Sequence, residues 1–168
     1  MKRSCVFIFY LLLSADGLGT AHAESYRIGE IKLSLSSAWG KPVSIQYDET
    51  TQSGDWRFIR RDATLVITKT PCAECKDPTQ AEVEAHYKSK AKPAAAILLN
   101  HKGLPALLRL LPEENGENLR VFQLLADGFR YEIRLGVDTE APSTLTFQLE
   151  MEFLQMLNGF TPQKPLSK

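Results

Sequence analysis

Net charge, glycine-rich loops, glycosylation acceptors and long apolar runs are all missing or nearly so, and each absence removes a class of function. Lys and Arg number 20 and Asp and Glu also number 20, so no overall field gathers nucleic acid or an anionic membrane surface. Nucleic acid is therefore not an expected partner. Neither a phosphate-cradling glycine loop nor a G-x-S-x-G nucleophile elbow occurs. Only three histidines are present, which leaves few bases for a Ser-His-Asp site. Glu113, Glu114 and Glu117 cluster around Asn115-Gly116, but the alternating ligands of a calcium loop are absent, and a solvated turn is the expectation. There is no Asn-x-Ser/Thr acceptor, no internal repeat and no low-complexity segment. No catalytic constellation and no cofactor site emerges, so an enzyme is not the expected reading.

The one uninterrupted apolar run, residues 5–13 (CVFIFYLLL), follows Lys2 and Arg3 and precedes Ala21-His22-Ala23. A short positive region, a short apolar core and a small-x-small site in that order predict a secretory signal peptide over residues 1–23. The run is far shorter than the roughly 20 residues of a spanning helix. No cysteine stands at the cleavage point, which disfavours a lipid anchor. Removing Lys2, Arg3 and Asp16 leaves 18 basic against 19 acidic side chains. The expectation is a periplasmic protein (full secretion is the alternative), with one domain over residues 24–160 and a loose tail over 161–168. A chain near 150 residues buries about two thirds of its unfolded surface, enough for a real core.

Hydrophobic periodicity gives the organisation. Ile31, Leu33 and Leu35 alternate with Lys32, Ser34 and Ser36, and Val43, Ile45 and Tyr47 repeat the pattern after Gly40-Lys41-Pro42; both read as half-buried strands. Residues 56–59 and the β-branched run 64–68 (TLVIT) predict two more. Asp77-Pro78-Thr79-Gln80 announces a helix, with Asp77 as cap, Pro78 in the first turn and Gln80 reaching back, fading before Pro93. Residues 119–137 predict a hairpin turning at Asp127-Gly128, a dipeptide suited to positive φ. If Ala126 faces Phe129, Leu124 meets Tyr131 and Phe122 meets Ile133 on a core face, with Arg130, Glu132 and Arg134 on a wet one. A closing helix starts near Ser143, with Leu145, Leu149, Phe153, Met156 and Leu157 in a stripe and Gly159 as its left-handed stop. Strands with packed helices predict an α+β domain, an antiparallel sheet flanked by helices.

Residues 31–39 (IKLSLSSAW), 128–135 (GFRYEIRL) and 152–160 (EFLQMLNGF) resemble the first strand with its tryptophan, a later central strand and the closing helix of the PsbP/Mog1-like superfamily, over most of residues 28–160. The resemblance implies an antiparallel sheet flanked by helices and no reaction, because members of that fold serve unrelated roles. A second resemblance is to thioredoxin-like proteins: residues 65–76 (LVITKTPCAECK) look like the strand and Cys-x-x-Cys, and residues 103–107 (GLPAL) like the segment bearing a cis-proline. Against it, Pro71 stands where that family has tryptophan, and the spacing is too short for its extra strand and helix.

Cys5 leaves with the signal, so Cys72 and Cys75 are the only thiols of the processed chain. An even count in an oxidising compartment predicts a disulfide, read first as a staple for the loop entering the helix at Pro78. Two alternatives stay open: redox exchange, with one thiolate attacking and the other resolving near Lys76, and zinc or copper(I) binding by the pair. Covalent haem is disfavoured because Lys76 follows the second cysteine. His86 and His101 read as solvated side chains. The basic-aromatic run 56–61 (WRFIRR) reads as a strand with charged flanks, or as a surface for an acidic partner. Phe147 and Met151 lie off the closing helix's stripe, as a partner face or as part of a helix buried on two sides. The resulting expectation is an exported, non-enzymatic binding or accessory protein whose partner is another envelope protein. The alternative is a periplasmic thiol-disulfide or metal-handling protein using Cys72 and Cys75. Nothing in the sequence sets the oligomeric state.

Overall fold

Period-2 alternation and two-residue turns decide most of this architecture. A computed structural model describes residues 23–28, 31–88 and 95–162. In chain order these form β1 (Ala23–Ile28), β2 (Ile31–Ser36), a 3-10 turn (Ser37–Trp39), β3 (Ser44–Asp48), β4 (Ser53–Arg60), β5 (Ala63–Pro71), α1 (Gln80–Lys88), β6 (Ala95–His101), β7 (Leu104–Glu114), β8 (Glu117–Ala126), β9 (Phe129–Asp138) and α2 (Ser143–Gly159). Seven strands make one antiparallel sheet in the order β3-β4-β5-β9-β8-β7-β6, and β1 pairs with β2 separately. The domain is α+β, an antiparallel sheet flanked by helices, as the sequence predicts.

Asp127 and Gly128 both take positive φ, 53° and 79°, the conformation a two-residue hairpin turn requires. The register is the expected one: Ala126 opposite Phe129, Leu124 opposite Tyr131 and Phe122 opposite Ile133. This face joins Trp56, Phe58, Leu65 and Ile67 in the main core, roofed by Ile31, Leu33 and Leu35 of β2 and by Leu149, Phe153, Met156 and Leu157 of α2. The opposite face is not uniformly wet as expected. Val121 is only 2% exposed, with Arg109 and Arg134 as its cross-strand neighbours. Near the β6 end of that face, α1 sets Val83 against Ala96 and Leu107.

Four other expectations shift. First, β3 forms, but it starts at Ser44 and is not half-buried: all five residues are exposed, Ile45 at 60% and Tyr47 at 39%, and Val43 just ahead of it is 59% exposed. It is the outermost strand, and Ile45 and Tyr47 lie on the core side but beyond the roof. Gly54 lets it approach β4, since a Cβ there would meet the Gln46 carbonyl oxygen at 2.6 Å and the Trp56 ring at 2.9 Å. In the turn that follows β3, the Thr51 hydroxyl and the Thr50 amide donate to Asp48 and hold its carboxyl below the ordinary range. Second, the cap of α1 is Thr79, not Asp77. Thr79 Oγ1 accepts from the Glu82 amide at 3.3 Å and Glu82 Oε2 accepts from the Thr79 amide at 3.2 Å, a reciprocal capping box two residues later. The fading of this helix before Pro93 concerns residues 89–94, outside the described ones.

Third, Gly159 belongs to α2 and is not a left-handed stop. The helix ends at Phe160 in extended backbone (φ −62°, ψ 129°), whose amide donates to the Leu157 and Met156 carbonyls. Fourth, Thr161 is held, forming an antiparallel bridge with Lys32. Residues 163–168 of the expected tail lie outside the described ones. No helix among the described residues is long and apolar enough to cross a membrane.

Candidate functional site

The cysteine loop hangs from the end of β5, which lies beside β9, the middle strand of the sheet. Pro71 is the last β5 residue paired with β9, opposite Phe129, and the Cys72 amide carries the ladder one step further by donating to the Gly128 carbonyl at 2.7 Å. The chain then turns back: the Cys75 amide donates to the Cys72 carbonyl at 3.4 Å, and a Cys72–Cys75 disulfide closes the turn with Cα atoms 5.3 Å apart. The disulfide expected from the sequence is present.

A cavity of about 520 Å³ opens beside it, lined by Cys72, Cys75, Lys76, Asp77, Leu125 and Phe129 among others. Both cysteines are half-buried. Lys69, 3% exposed, sets its Nζ 4.0 Å from the centroid of the Phe129 ring. A cation held over an aromatic face is stabilised by the ring quadrupole, so Phe129 serves both the cavity and the buried ammonium.

This geometry constrains the chemistry. α1 begins at Gln80, and its first-turn amide at Glu82 is already bonded to Thr79. The helix terminus that lowers a thiol pKa in many redox sites is thus not at the cysteines. Among the described residues, no three His, Cys, Asp or Glu side chains gather where they could hold a metal ion. His101 is partly buried, where the sequence predicts a solvated side chain. Its ring packs edge-on against Phe122 at 5.3 Å and lies 6.0 Å from Phe160, and its Nε2 donates to the Phe160 carbonyl at 3.0 Å. The side chain of His86 lies outside the described residues. The segment expected to carry a cis-proline is instead the β6–β7 turn and the start of β7. Lys102 and Gly103 supply its positive φ, and there is no cis peptide among the described residues.

The basic-aromatic run 56–61 is divided between faces. Trp56 and Phe58 are buried, while Arg57 and Ile59 lie exposed on the other side. Arg60 reaches Glu152 of α2. Phe147 is 65% exposed, so α2 is not buried on two sides there. Asn115 and Gly116 form the β7–β8 turn with positive φ, as the solvated-turn reading expects. Sequence reasoning missed two surface features: the uncovered flank of β3 and the contact of Tyr87 with the β6 edge. Alternation tells which residues share a face, but not whether anything covers it.

No family model matches the chain, and no curated protein matches it. Among solved structures it is similar to the solution structure of cyanobacterial PsbP (CyanoP) from Synechocystis sp. PCC 6803, at 12% identity and a TM-score of 0.48, covering 90% of this chain and 99% of that one. At this identity and TM-score no family, ligand or site residue is carried across to this chain.

Proposed function

We propose that the chain is an exported, non-enzymatic binding or accessory protein that works in the periplasm against another envelope protein, with Cys72–Cys75 as a local staple. The observation that carries this reading is the position of the disulfide. It finishes the β5–β9 ladder just beyond the Cys72–Gly128 bond, where it anchors the exit toward α1. A disulfide suits an oxidising compartment, and Lys2, Arg3, the run 5–13 and Ala21-His22-Ala23 support export. Mass spectrometry of the protein from fractionated cells should find a periplasmic species beginning at Glu24. A species retained in the cytoplasm with residues 1–23 intact would sink the export reading.

The same cavity favours a second reading, thiol-disulfide or metal handling, because the disulfide lines a partly apolar recess. The two readings separate on a dithiol redox series. A staple should titrate below about −300 mV, and an exchanging pair nearer about −200 mV or above. Under the staple reading, the double variant Cys72→Ser/Cys75→Ser should fold and keep its partner contacts. Its stability should fall by about 2 kcal/mol, because so small a ring constrains the unfolded chain little. Lost function in a variant that still folds would transfer the case to the second reading.

A further inference from the structure

The bond expected to be cut, between Ala23 and Glu24, does not precede the fold but lies inside it. β1 spans Ala23–Ile28, and its ladder with β2 starts at the first residue. Ala23 stands opposite Ser36, Glu24 opposite Leu35 and Ser25 opposite Ser34. Both residues flanking the bond are therefore strand, and no spacer separates the leader from the ladder. The strand they pair with is itself fixed. Leu33 and Leu35 of β2 are buried in the main core, and Lys32 is paired on both sides, with Arg27 of β1 and with Thr161.

We propose that folding closes the processing site: the leader is removed from the unfolded chain, and docking of β1 on β2 withdraws the Ala23–Glu24 bond from the peptidase. This inference rests on the export reading above. Cleavage is a hydrolysis. The peptide C–N bond breaks, and water supplies a hydroxyl to the Ala23 carbonyl carbon and a proton to the Glu24 nitrogen. A leader peptidase reads the small residues Ala21 and Ala23 before the bond, and it must lay the residues on both sides in its own cleft. In the folded precursor Ala23, Glu24 and Ser25 are held by β2, so the end of β1 has to lift away first. Cutting then follows the population of that open form. β1 is paired on one side only among the described residues, so the opening is local and costs less than unfolding the domain. Processing of the folded precursor is slowed, not abolished.

The register also fixes what processing leaves behind. Removal of residues 1–23 takes away only the Ala23–Ser36 pair, and Glu24–Ile28 keep their partners. Processed and unprocessed chains thus share one fold, and the order of cleavage and folding decides which of them accumulates.

The full-length chain, leader included, tests this when it is diluted from denaturant into detergent and purified bacterial leader peptidase is added at increasing delays. Early addition should cut at Ala23–Glu24, and addition after folding is complete should give a rate lower by about tenfold or more. A variant with a flexible glycine-serine spacer inserted between Glu24 and Ser25 keeps Ala21, Ala23 and Glu24 around the bond but moves it out of the ladder. It should be cut equally fast at every delay. A folded wild-type precursor cut as fast as the unfolded chain overturns the proposal, as does a folded spacer variant that stays protected. An unfolded chain left intact at Ala23–Glu24 overturns the export reading itself and this inference with it.

Discussion

Replacing Phe160 with alanine should remove about 3–5 kcal/mol of stability, the cost of truncating a fully buried aromatic side chain. Against a total of roughly 5–15 kcal/mol for a domain of this kind, that is a large share from a residue one position past the last helix. Phe160 is 0% exposed. Its ring stands 5.7 Å from Tyr131 and 6.3 Å from Phe122, both edge-on, so its loss would open a cavity between α2 and the β8–β9 hairpin. Its carbonyl also accepts from Lys102 Nζ at 2.9 Å and from His101, and Thr161 beyond it bridges to Lys32. The residue therefore fastens the end of α2 to β2, β6 and β8 together. Denaturant unfolding measures the effect, with Phe147→Ala as the control. Phe147 is exposed, and its replacement should change stability by no more than about 0.5 kcal/mol. A loss at Phe160 no larger than the control's would show that the closing segment is not part of the cooperative core.

The second large effect belongs to Glu152, which gathers three elements on one carboxylate. Trp39 Nε1 donates to it at 3.2 Å, Arg60 Nη1 reaches both oxygens at 3.0 and 3.2 Å, and Gln148 Nε2 donates at 2.9 Å. The 3-10 turn after β2, the end of β4 and the middle of α2 thus share one anchor. The Arg60 and Glu152 side chains are 21% and 16% exposed, so solvent screens the pair and its worth falls below that of a buried ion pair. Glu152→Ala should still cost about 1.5–3 kcal/mol, the range for hydrogen bonds to a charged group, because two largely buried donors lose their acceptor. Glu152→Gln keeps an acceptor for Trp39 and should cost less. A double-mutant cycle with Arg60→Ala isolates the ion pair. A coupling indistinguishable from zero there would assign the whole effect to Trp39 and Gln148.

How much of this could be read beforehand depends on whether the cause was local. Asp127-Gly128 carried its turn type in two residues, and with the turn came the register of ten residues on each side. The capping box of α1 was also present in the residue types, as Thr79 followed three places later by Glu82. The earlier Asp77 and Pro78 competed with it, and only the helix start decides between them. The exposure of β3 was not local at all. Val43, Ile45 and Tyr47 alternate as a core strand does, and their exposure follows from β3 being the outermost strand of the sheet order. His101 belongs to the same class, because a histidine beside Lys102-Gly103 looks like a turn residue until Phe122 and Phe160 arrive from distant segments. For the cysteines, the spacing announced a closed ring. The cavity beside it did not show, since Gly128 and Phe129 reach it only through the β5–β9 pairing.

That pairing also shapes how the chain finds its structure. β3, β4 and β5 follow one another in sequence and in space, and so do β6, β7, β8 and β9. Each run can zip through short closures, which is the fast part of assembling a sheet. The two meet only where β5 lies along β9, a closure spanning everything from Cys72 to Gly128. Closure entropy grows slowly with loop length, so this join costs little more free energy than a shorter one. The burden falls on search time, because non-local pairing is what slows folding. The β5–β9 seam is clipped at one end by the Cys72 amide on Gly128 and at the other by the Asp138 amide on Asp62. It makes two independently nucleating ribbons into one cooperative body.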